Sequence, residues 1–243
     1  MSNKFPSTVI AYEDKSILTG EPIVMILTGL EKPSSNIKTG AMVQAVVLSA
    51  DRKPTDAVKS GSDENVCGNC PLRKSICYVN LVPWNKVYKS YQDGKVPFIT
   101  KEVLERAKSK HQKLRITAYG DPAAVPFDVW NNLLDYFKNH TGYTHQWRNL
   151  DDRWASRLMA SVETVESFEQ AKEAGWSTFR VRVEGEPILK GEIECPNIRN
   201  NAIKCESCQL CSGNGNIQRH ITVEAHGIKQ KINKFNEFTY KYN

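Results

Sequence analysis

Residues 67–78 read CGNCPLRKSICY, and residues 195–211 read CPNIRNNAIKCESCQLC. These two stretches hold all seven cysteines of the 243-residue chain. Their spacings, CxxCx6C and Cx9CxxCxxC, can bring three or four sulfur atoms towards one point. A metal ion or an iron–sulfur cluster requires ligands that gather in this way. The two loops therefore predict metal centres, and the spacing favours iron–sulfur over zinc.

The cysteine spacing of the second run is typical of the ligands of an iron–sulfur cluster. Cys205, Cys208 and Cys211 recur every third residue, and Cys195 is followed by a proline. Ferredoxin-type sequences supply thiolates as CxxCxxC and take the fourth from a remote Cys-Pro. Four cysteines also suit a structural zinc ion, so zinc stays open as the alternative. We predict a 4Fe–4S cluster on these four residues.

The first run offers three thiols and no obvious fourth ligand. Cys67, Cys70 and Cys77 could hold a four-iron cluster with one iron open to water, to a histidine or to a substrate. The alternative is that the seven cysteines do not divide into three and four, so that one thiol is free. The chain is therefore predicted to carry one or two clusters.

Composition restricts the class of protein. The chain is 40% hydrophobic and 25% charged, as in ordinary globular proteins, and it lacks a run of roughly 20 apolar residues that could span a membrane. The first six residues, MSNKFP, lack the apolar core of a secretory signal. These observations predict a cytoplasmic protein, where cysteine clusters more often bind metal than form disulfides. The net charge of +6 fits a solvated basic surface or, more weakly, nucleic-acid binding.

Short apolar runs alternate with helical patterns along much of the chain. We predict strands at 22–28, 41–50, 113–119, 142–147, 157–161, 177–183 and 220–225, and helices at 84–93, 100–112, 127–139 and 165–174. This alternation predicts an α/β fold with mainly parallel strands. Because only six or seven units are visible, we expect a partial (β/α) TIM-like barrel rather than a full one.

The domain organisation follows from the same pattern. An N-terminal arm and the first strand are expected over residues 1–40. The barrel, with its iron–sulfur loops, is expected over residues 41–227. A basic, aromatic tail occupies residues 228–243, as a docked helix or a loose end.

Polar residues follow several of the predicted strands. Ligands of parallel α/β folds bind at the carboxyl ends of the strands, so we predict a small-molecule site at this rim. The candidate catalytic residues are Asp121, Glu163 and His226, and the candidate cofactor-binding residues are Gly120, Asp121 and His145. Each also has a structural explanation: a turn cap for Asp121, core packing for His145, a helix start for Glu163 and turn chemistry for His226.

Several longer segments of the sequence resemble those of a known protein family. They are CGNCPLR (67–73), AYGDPAAVPF (118–127), GYTHQWR (142–148), MASV (159–162) and GWSTFRV (175–181), followed by the second cysteine run. Through these segments, most of the region 65–227 resembles a family of uncharacterised, cysteine-rich bacteriophage proteins. The resemblance implies a phage-encoded protein that works in the host cytoplasm.

A second resemblance is at the level of the fold. The chain is similar to gene-product-88-type phage proteins and to radical S-adenosylmethionine enzymes. This resemblance implies an open-iron cluster on Cys67, Cys70 and Cys77, with Gly120-Asp121 at the motif that holds the amine of S-adenosylmethionine. The four-cysteine run would correspond to an auxiliary cluster. The cysteine spacing of those enzymes is CxxxCxxC, where this chain has CxxCx6C.

Three functions follow. The first is an iron–sulfur protein that transfers electrons, senses or serves a structural role, which the cysteine spacing favours. The second is a radical-S-adenosylmethionine-like enzyme with Asp121, Glu163 and His226 around the open iron, which the polar rim favours. The third is a zinc-stabilised nucleic-acid-binding module, for which only the basic tail speaks.

Overall fold

A computed structural model describes residues 5–34, 36–215 and 217–242 of the chain. Within it the chain forms two compact units. The first comprises residues 1–68 and 79–140, and the second comprises residues 69–78 and 141–243. Both units are built from strands and helices, and each is described below by itself.

The first unit is built on four strands in the order β1-β2-β3-β4. They are β1 (Thr8–Lys15), β2 (Pro22–Thr28), β3 (Val43–Ser49) and β4 (Lys113–Ile116). β1 and β3 both pair antiparallel with β2, whereas β3 and β4 are parallel. Every residue of β3 is buried, which explains its nearly continuous apolar sequence. β2 and β3 thus form the core of this unit.

Among the described residues of this unit, five α-helices accompany these strands. They are α1 (Pro54–Ser60), α2 (Glu64–Cys67), α3 (Val82–Gln92), α4 (Lys101–Ser109) and α5 (Phe127–Leu134). Thr100 caps α4, as the sequence predicts, because its hydroxyl accepts a hydrogen bond from the Val103 amide. α5 buries Trp130, Leu133 and Leu134 on one face.

The second unit contains five strands in the order β5-β6-β7-β9-β8. They are β5 (Asn139–Thr144, which begins two residues before the boundary of the unit), β6 (Met159–Val162), β7 (Thr178–Arg182), β8 (Glu192–Glu194) and β9 (His220–Glu224). All four neighbouring pairs are parallel. The carboxyl ends of these strands consequently lie along one edge of the sheet.

The helices of the second unit are mostly short. They are α6 (Asp152–Ala155), α7 (Val165–Glu173), α8 (Pro196–Arg199), α9 (Cys205–Cys208) and α10 (Lys229–Tyr242). α7 begins with a capping box in which Thr164 and Ser167 exchange hydrogen bonds. α10 makes the tail helical, which is one of the two forms expected from the sequence.

The prediction of an α/β protein with mainly parallel strands is confirmed, but several details were wrong. Strand β1 lies in the region expected to be an arm, and it makes the start of the first sheet antiparallel. The helix predicted over 127–139 ends at Leu134, because β5 already begins at Asn139. The strand predicted over 142–147 likewise ends at Thr144. Among the described residues, no helix is long and apolar enough to cross a membrane.

Candidate functional site

The first and last cysteines of the second run are anchored to strands of the second unit. Cys195 follows β8 directly, and its amide donates a hydrogen bond to the Thr222 carbonyl on β9 (2.9 Å). The Cys211 carbonyl accepts a hydrogen bond from the Gly142 amide on β5 (2.9 Å). Both ends of the run are therefore fixed to the sheet by backbone contacts.

The middle of the run is a single helical turn. Cys205 begins α9 and Cys208 ends it, so their side chains lie three residues apart on one helical face. Gln209 then adopts a left-handed conformation with φ of 56°, and its side-chain amide donates to the Cys205 carbonyl (2.8 Å). This reversal ends the helix and directs the chain to Cys211.

A glycine allows the chain to leave this run close to the backbone of another segment. Gly213 has φ of +87°, and a Cβ atom there would lie 2.7 Å from the carbonyl carbon and oxygen of Ser156. The next amide, that of Asn214, donates to the Ala155 carbonyl (2.9 Å). The exit of the run is thus held against the end of α6, in a position that a side chain would obstruct.

The Cys211 thiol feels the charges of the other three thiols of the run. Burial, followed by the charges of Cys205, Cys195 and Cys208, raises the pKa of the Cys211 thiol to about 12, and a hydrogen bond from Tyr143 acts in the opposite direction. These influences indicate that Cys211 lies near the other three cysteines of the run. In the absence of a cation, these surroundings disfavour the thiolate of Cys211.

The donor set of this neighbourhood consists of four sulfur atoms. Thiolates are soft ligands, which suit iron–sulfur clusters and zinc and are poor ligands for magnesium or calcium. In the part of the chain that the structure describes, no group of three or more His, Cys, Asp or Glu side chains stands in the arrangement of a single metal ion's ligands. The residues present nevertheless fit a four-thiolate centre by their chemistry.

Two buried arginines of β7, whose acidic partners were not predicted from the sequence, support the approach to Cys195. The Arg180 side chain is fully buried, and it donates to both carboxylate oxygens of Glu192 (2.7 and 2.8 Å) and to Glu186. Arg182 pairs with Glu194 (3.1 Å) and with Glu224 (2.6 Å). The alternating arginines of STFRVRV and the glutamates of 184–194 were the available signal. This network positions β8, which leads into Cys195.

The first run is divided between the two units. Cys67 ends α2 in the first unit, where its amide donates to the Asp63 carbonyl (2.9 Å). Cys70 and Cys77 belong to the second unit, where the Cys77 carbonyl accepts a hydrogen bond from the Lys231 side chain.

Cys70 has a histidine and a carboxylate next to it. Its sulfur lies 3.4 Å from His145 Nδ1, and His145 Nε2 lies 2.7 Å from Glu163 Oε1. His145 and Glu163 follow the carboxyl ends of β5 and β6, which are neighbours in the sheet. The structure thus brings together two residues that the sequence placed on one rim.

The charges around His145 favour its protonated form. Burial by itself lowers the pKa of this imidazole, but the negative charges of Cys70 and Glu163 and the hydrogen bonds to both raise it well above the usual value of 6.5. The ring is therefore placed to accept and keep a proton between a sulfur atom and a carboxylate.

Gly120 and Asp121 lie in the first unit and have structural roles there. Gly120 has φ of +83°, and a Cβ atom would come 2.9 Å from Val47. The Asp121 amide donates to the Val66 carbonyl (2.6 Å), and its carboxylate accepts from the Ala123 amide (3.0 Å) at the start of the 3₁₀ turn Pro122–Ala124. These contacts explain the residues of GDPAA: the glycine permits the close approach to Val47, and the aspartate caps the turn that follows.

His226 contacts the backbone of the strand that it follows. It follows β9 in an exposed position, and its Nδ1 lies 2.8 Å from the Glu224 carbonyl. This is the turn geometry that was the structural alternative for His226. Its predicted catalytic role stays a prediction.

Three comparisons with known proteins were made with the whole chain. No protein-family model, no curated protein and no solved structure matches it.

Proposed function

We propose that this protein binds a 4Fe–4S cluster through Cys195, Cys205, Cys208 and Cys211. The observation that carries the proposal is the shared neighbourhood of these four thiols, in which Cys211 responds to the other three. A cluster supplies the positive iron charge that four neighbouring thiolates require, and it can exchange single electrons when bound. The chain's own contribution is to gather the thiols and to fix both ends of the run to the sheet.

The order of the residues favours a cluster over zinc at this position. Structural zinc sites are usually built from two separate pairs of ligands, each on its own turn. Here three thiols recur at every third residue from α9 to Cys211, and the fourth comes from a Cys-Pro sequence that begins α8. Zinc is the alternative occupant, and the iron and sulfide contents of the protein distinguish the two.

The activity that we propose is electron transfer, sensing or structural support rather than catalysis by the cluster. All four ligands are supplied by cysteine, so no iron of such a cluster is left open to a substrate. The partial barrel, the phage origin and the location in the host cytoplasm belong to the same proposal, and they rest on the sequence patterns and on the resemblance. Nucleic acid binding by a zinc-stabilised form has only the net charge of +6 and the basic tail in its favour.

A radical-S-adenosylmethionine-like activity rests on the resemblance alone. It would use Cys67, Cys70 and Cys77 as cluster ligands, with Gly120 and Asp121 at the cofactor. In the first unit, Gly120 and Asp121 are engaged in a close backbone approach and in a turn cap. We therefore place this activity second.

The experiment is a comparison of two variants of neighbouring residues, purified without air. Cys208→Ser removes one proposed ligand, whereas Ser207→Ala changes an exposed residue of the same helical turn. We expect Cys208→Ser to lose most of the iron and sulfide of this site and Ser207→Ala to retain it. Equal iron in the two variants would refute the assignment of Cys208.

A further inference from the structure

Cys70, His145 and Glu163 form a continuous line of polar contacts within the second unit. The sulfur atom is 3.4 Å from Nδ1 of the imidazole, and Nε2 on the opposite side of the ring is 2.7 Å from the carboxylate. The two ring nitrogens are thus committed to two different partners. This order, in which a thiol contacts a base and the base contacts an orienting acid, is that of an activated nucleophile.

The carboxylate decides which tautomer the imidazole adopts. A carboxylate oxygen only accepts hydrogen bonds, so His145 Nε2 must donate its hydrogen to Glu163. In the neutral ring, Nδ1 then carries a lone pair that faces the Cys70 thiol. His145 is thereby oriented to receive the proton of Cys70.

Burial of the three residues increases from Cys70 through His145 to Glu163. The Glu163 and His145 side chains are 7% and 18% exposed. Cys70 is half-buried, and it lies between the exposed residues Asn69 and Pro71. Water is therefore largely excluded from the base and the carboxylate, whereas the sulfur remains within reach of a small molecule.

We propose that Cys70 is a nucleophilic thiol, that His145 is its general base and that Glu163 is the positioning residue for His145. The substrate class is a small molecule with an electrophilic carbon, such as an activated acyl or alkyl group. This function is separate from the cluster proposed on the second cysteine run. It assigns the Cys70 sulfur to covalent chemistry in place of the metal ligation that its spacing predicts.

The chemical step is a substitution at carbon. The thiol proton moves to His145 Nδ1, the sulfur–carbon bond forms, and the bond from that carbon to the leaving group breaks with its electron pair. The imidazolium can then return the proton to the leaving group. Atoms and charge balance without an oxidant, a reductant or a metal ion.

Alkylation of the full-length, iron-loaded protein with iodoacetamide tests the proposal. In this reaction the sulfur–carbon bond replaces the carbon–iodine bond, iodide leaves, and the proton stays on His145. The rate at each cysteine is followed by mass spectrometry near pH 6.5. Cys77, another half-buried thiol of the first cysteine run, is the internal standard. We expect Cys70 to react about 10- to 100-fold faster than Cys77, because His145 Nδ1, 3.4 Å from the Cys70 sulfur, can accept its proton as the sulfur attacks.

Variants then separate the roles of the two partners. His145→Ala should slow the alkylation of Cys70 about 10- to 100-fold, and added imidazole should restore part of the rate, which a merely structural role of His145 would not allow. Glu163→Gln keeps an acceptor oxygen but removes the charge, and we expect an intermediate loss of rate. His111→Ala, which changes an exposed histidine with no assigned role, should leave the rate unchanged.

Two results would overturn the proposal. One is a Cys70 rate no higher than that of Cys77 in the wild-type protein, a measurement that does not depend on any variant. The other is protection of Cys70 from alkylation until metal is removed, which would make its sulfur a metal ligand. The iron content of the second run is measured on the same samples, so that loss of the cluster and loss of thiol reactivity are recorded separately.

Discussion

Within the second unit, the thiols of the second cysteine run and the Cys70 thiol have different partners. Cys211 is half-buried, and its pKa responds to the charges of three other cysteines. Cys70 lies against His145, which in turn contacts Glu163. The surroundings of Cys211 disfavour its thiolate, whereas those of Cys70 provide an acceptor for its proton. We therefore propose a different sulfur chemistry for each of the two regions.

The supports of the two regions also differ. The second run depends on backbone contacts, on a glycine and on the arginine network that leads into Cys195. The Cys70 contact depends on two side chains that follow adjacent parallel strands, β5 and β6. Perturbations of each kind of support should consequently affect one region and spare the other.

Removal of metal should have the largest effect, and it should be confined to the second run. Ligation contributes on the order of 10 kcal/mol to the folding of small metal sites. Residues 195–215 contain few apolar side chains, so this segment should lose its amide protection in the metal-free protein, while β6, β7 and β9 keep theirs. Hydrogen exchange with and without chelation measures the difference. Equal protection of 195–215 in both states would mean that the metal does not organise the segment, and a loss over 69–78 would erase the contrast between the regions.

Replacement of Arg180 should destabilise the second unit by about 3–5 kcal/mol, because Arg180→Met leaves the buried Glu192 without its countercharge. The control is Arg153→Met, which removes an exposed pair with Asp151 and should cost only about 0–1 kcal/mol. Urea unfolding measures both. A similar cost for the two variants would show that the network does not support the approach to Cys195.

Substitution of Gly213 should have a smaller effect. Gly213→Ala combines a left-handed backbone conformation with a contact of 2.7 Å to Ser156, and we expect a loss of about 2–4 kcal/mol. Gly215→Ala is the matched control, because Gly215 also has a positive φ but nothing within 4 Å of the added Cβ. That variant should lose only about 1 kcal/mol. If thermal unfolding shows the same loss of stability for the two variants, the close approach at Ser156 does not affect stability.

The smallest effect should be on the titration of His145. Its pKa is raised in the folded protein, so its ionisation stabilises the protein fully below the unfolded value of about 6.5, and this contribution is lost as the pH rises through the raised pKa. Cys70→Ser and Glu163→Gln each remove one negative charge and should lower the pKa, at a cost of about 1.4 kcal/mol for each unit. Histidine NMR titration measures the change, with Cys208→Ser as the control. A pKa of His145 that is the same in all three variants would contradict the charge pairing.

Much of the fold could be predicted from local patterns. The apolar runs of β2 and β3, the Thr100 cap of α4 and the helix pattern of α7 all predict elements close to those observed. β1 was missed because its second half, YEDK, is polar and exposed, so that the strand reads as a loop. The 127–139 helix was predicted too long because the apolar Phe137 continues the helical spacing, although it packs from the turn after α5.

The candidate sites were predictable only in part. Spacing alone predicted that Cys205 and Cys208 gather with the other cysteines of their run, and strand ends placed His145 and Glu163 on one rim. The contact of Cys70 with His145 joins residues 75 positions apart, and no local pattern encodes such a pairing. The burial of Arg180 was missed for the same reason, because an arginine in a strand is expected to be exposed unless its acidic partners are known.

The iron and acid-labile sulfide contents of protein purified without air test the central claim most directly. A 4Fe–4S cluster on Cys195, Cys205, Cys208 and Cys211 predicts about four irons and four sulfides for each chain in a brown protein. Cys70→Ser should leave this content unchanged, because the Cys70 thiol belongs to the other region. A colourless protein that contains zinc and no sulfide would contradict the claim.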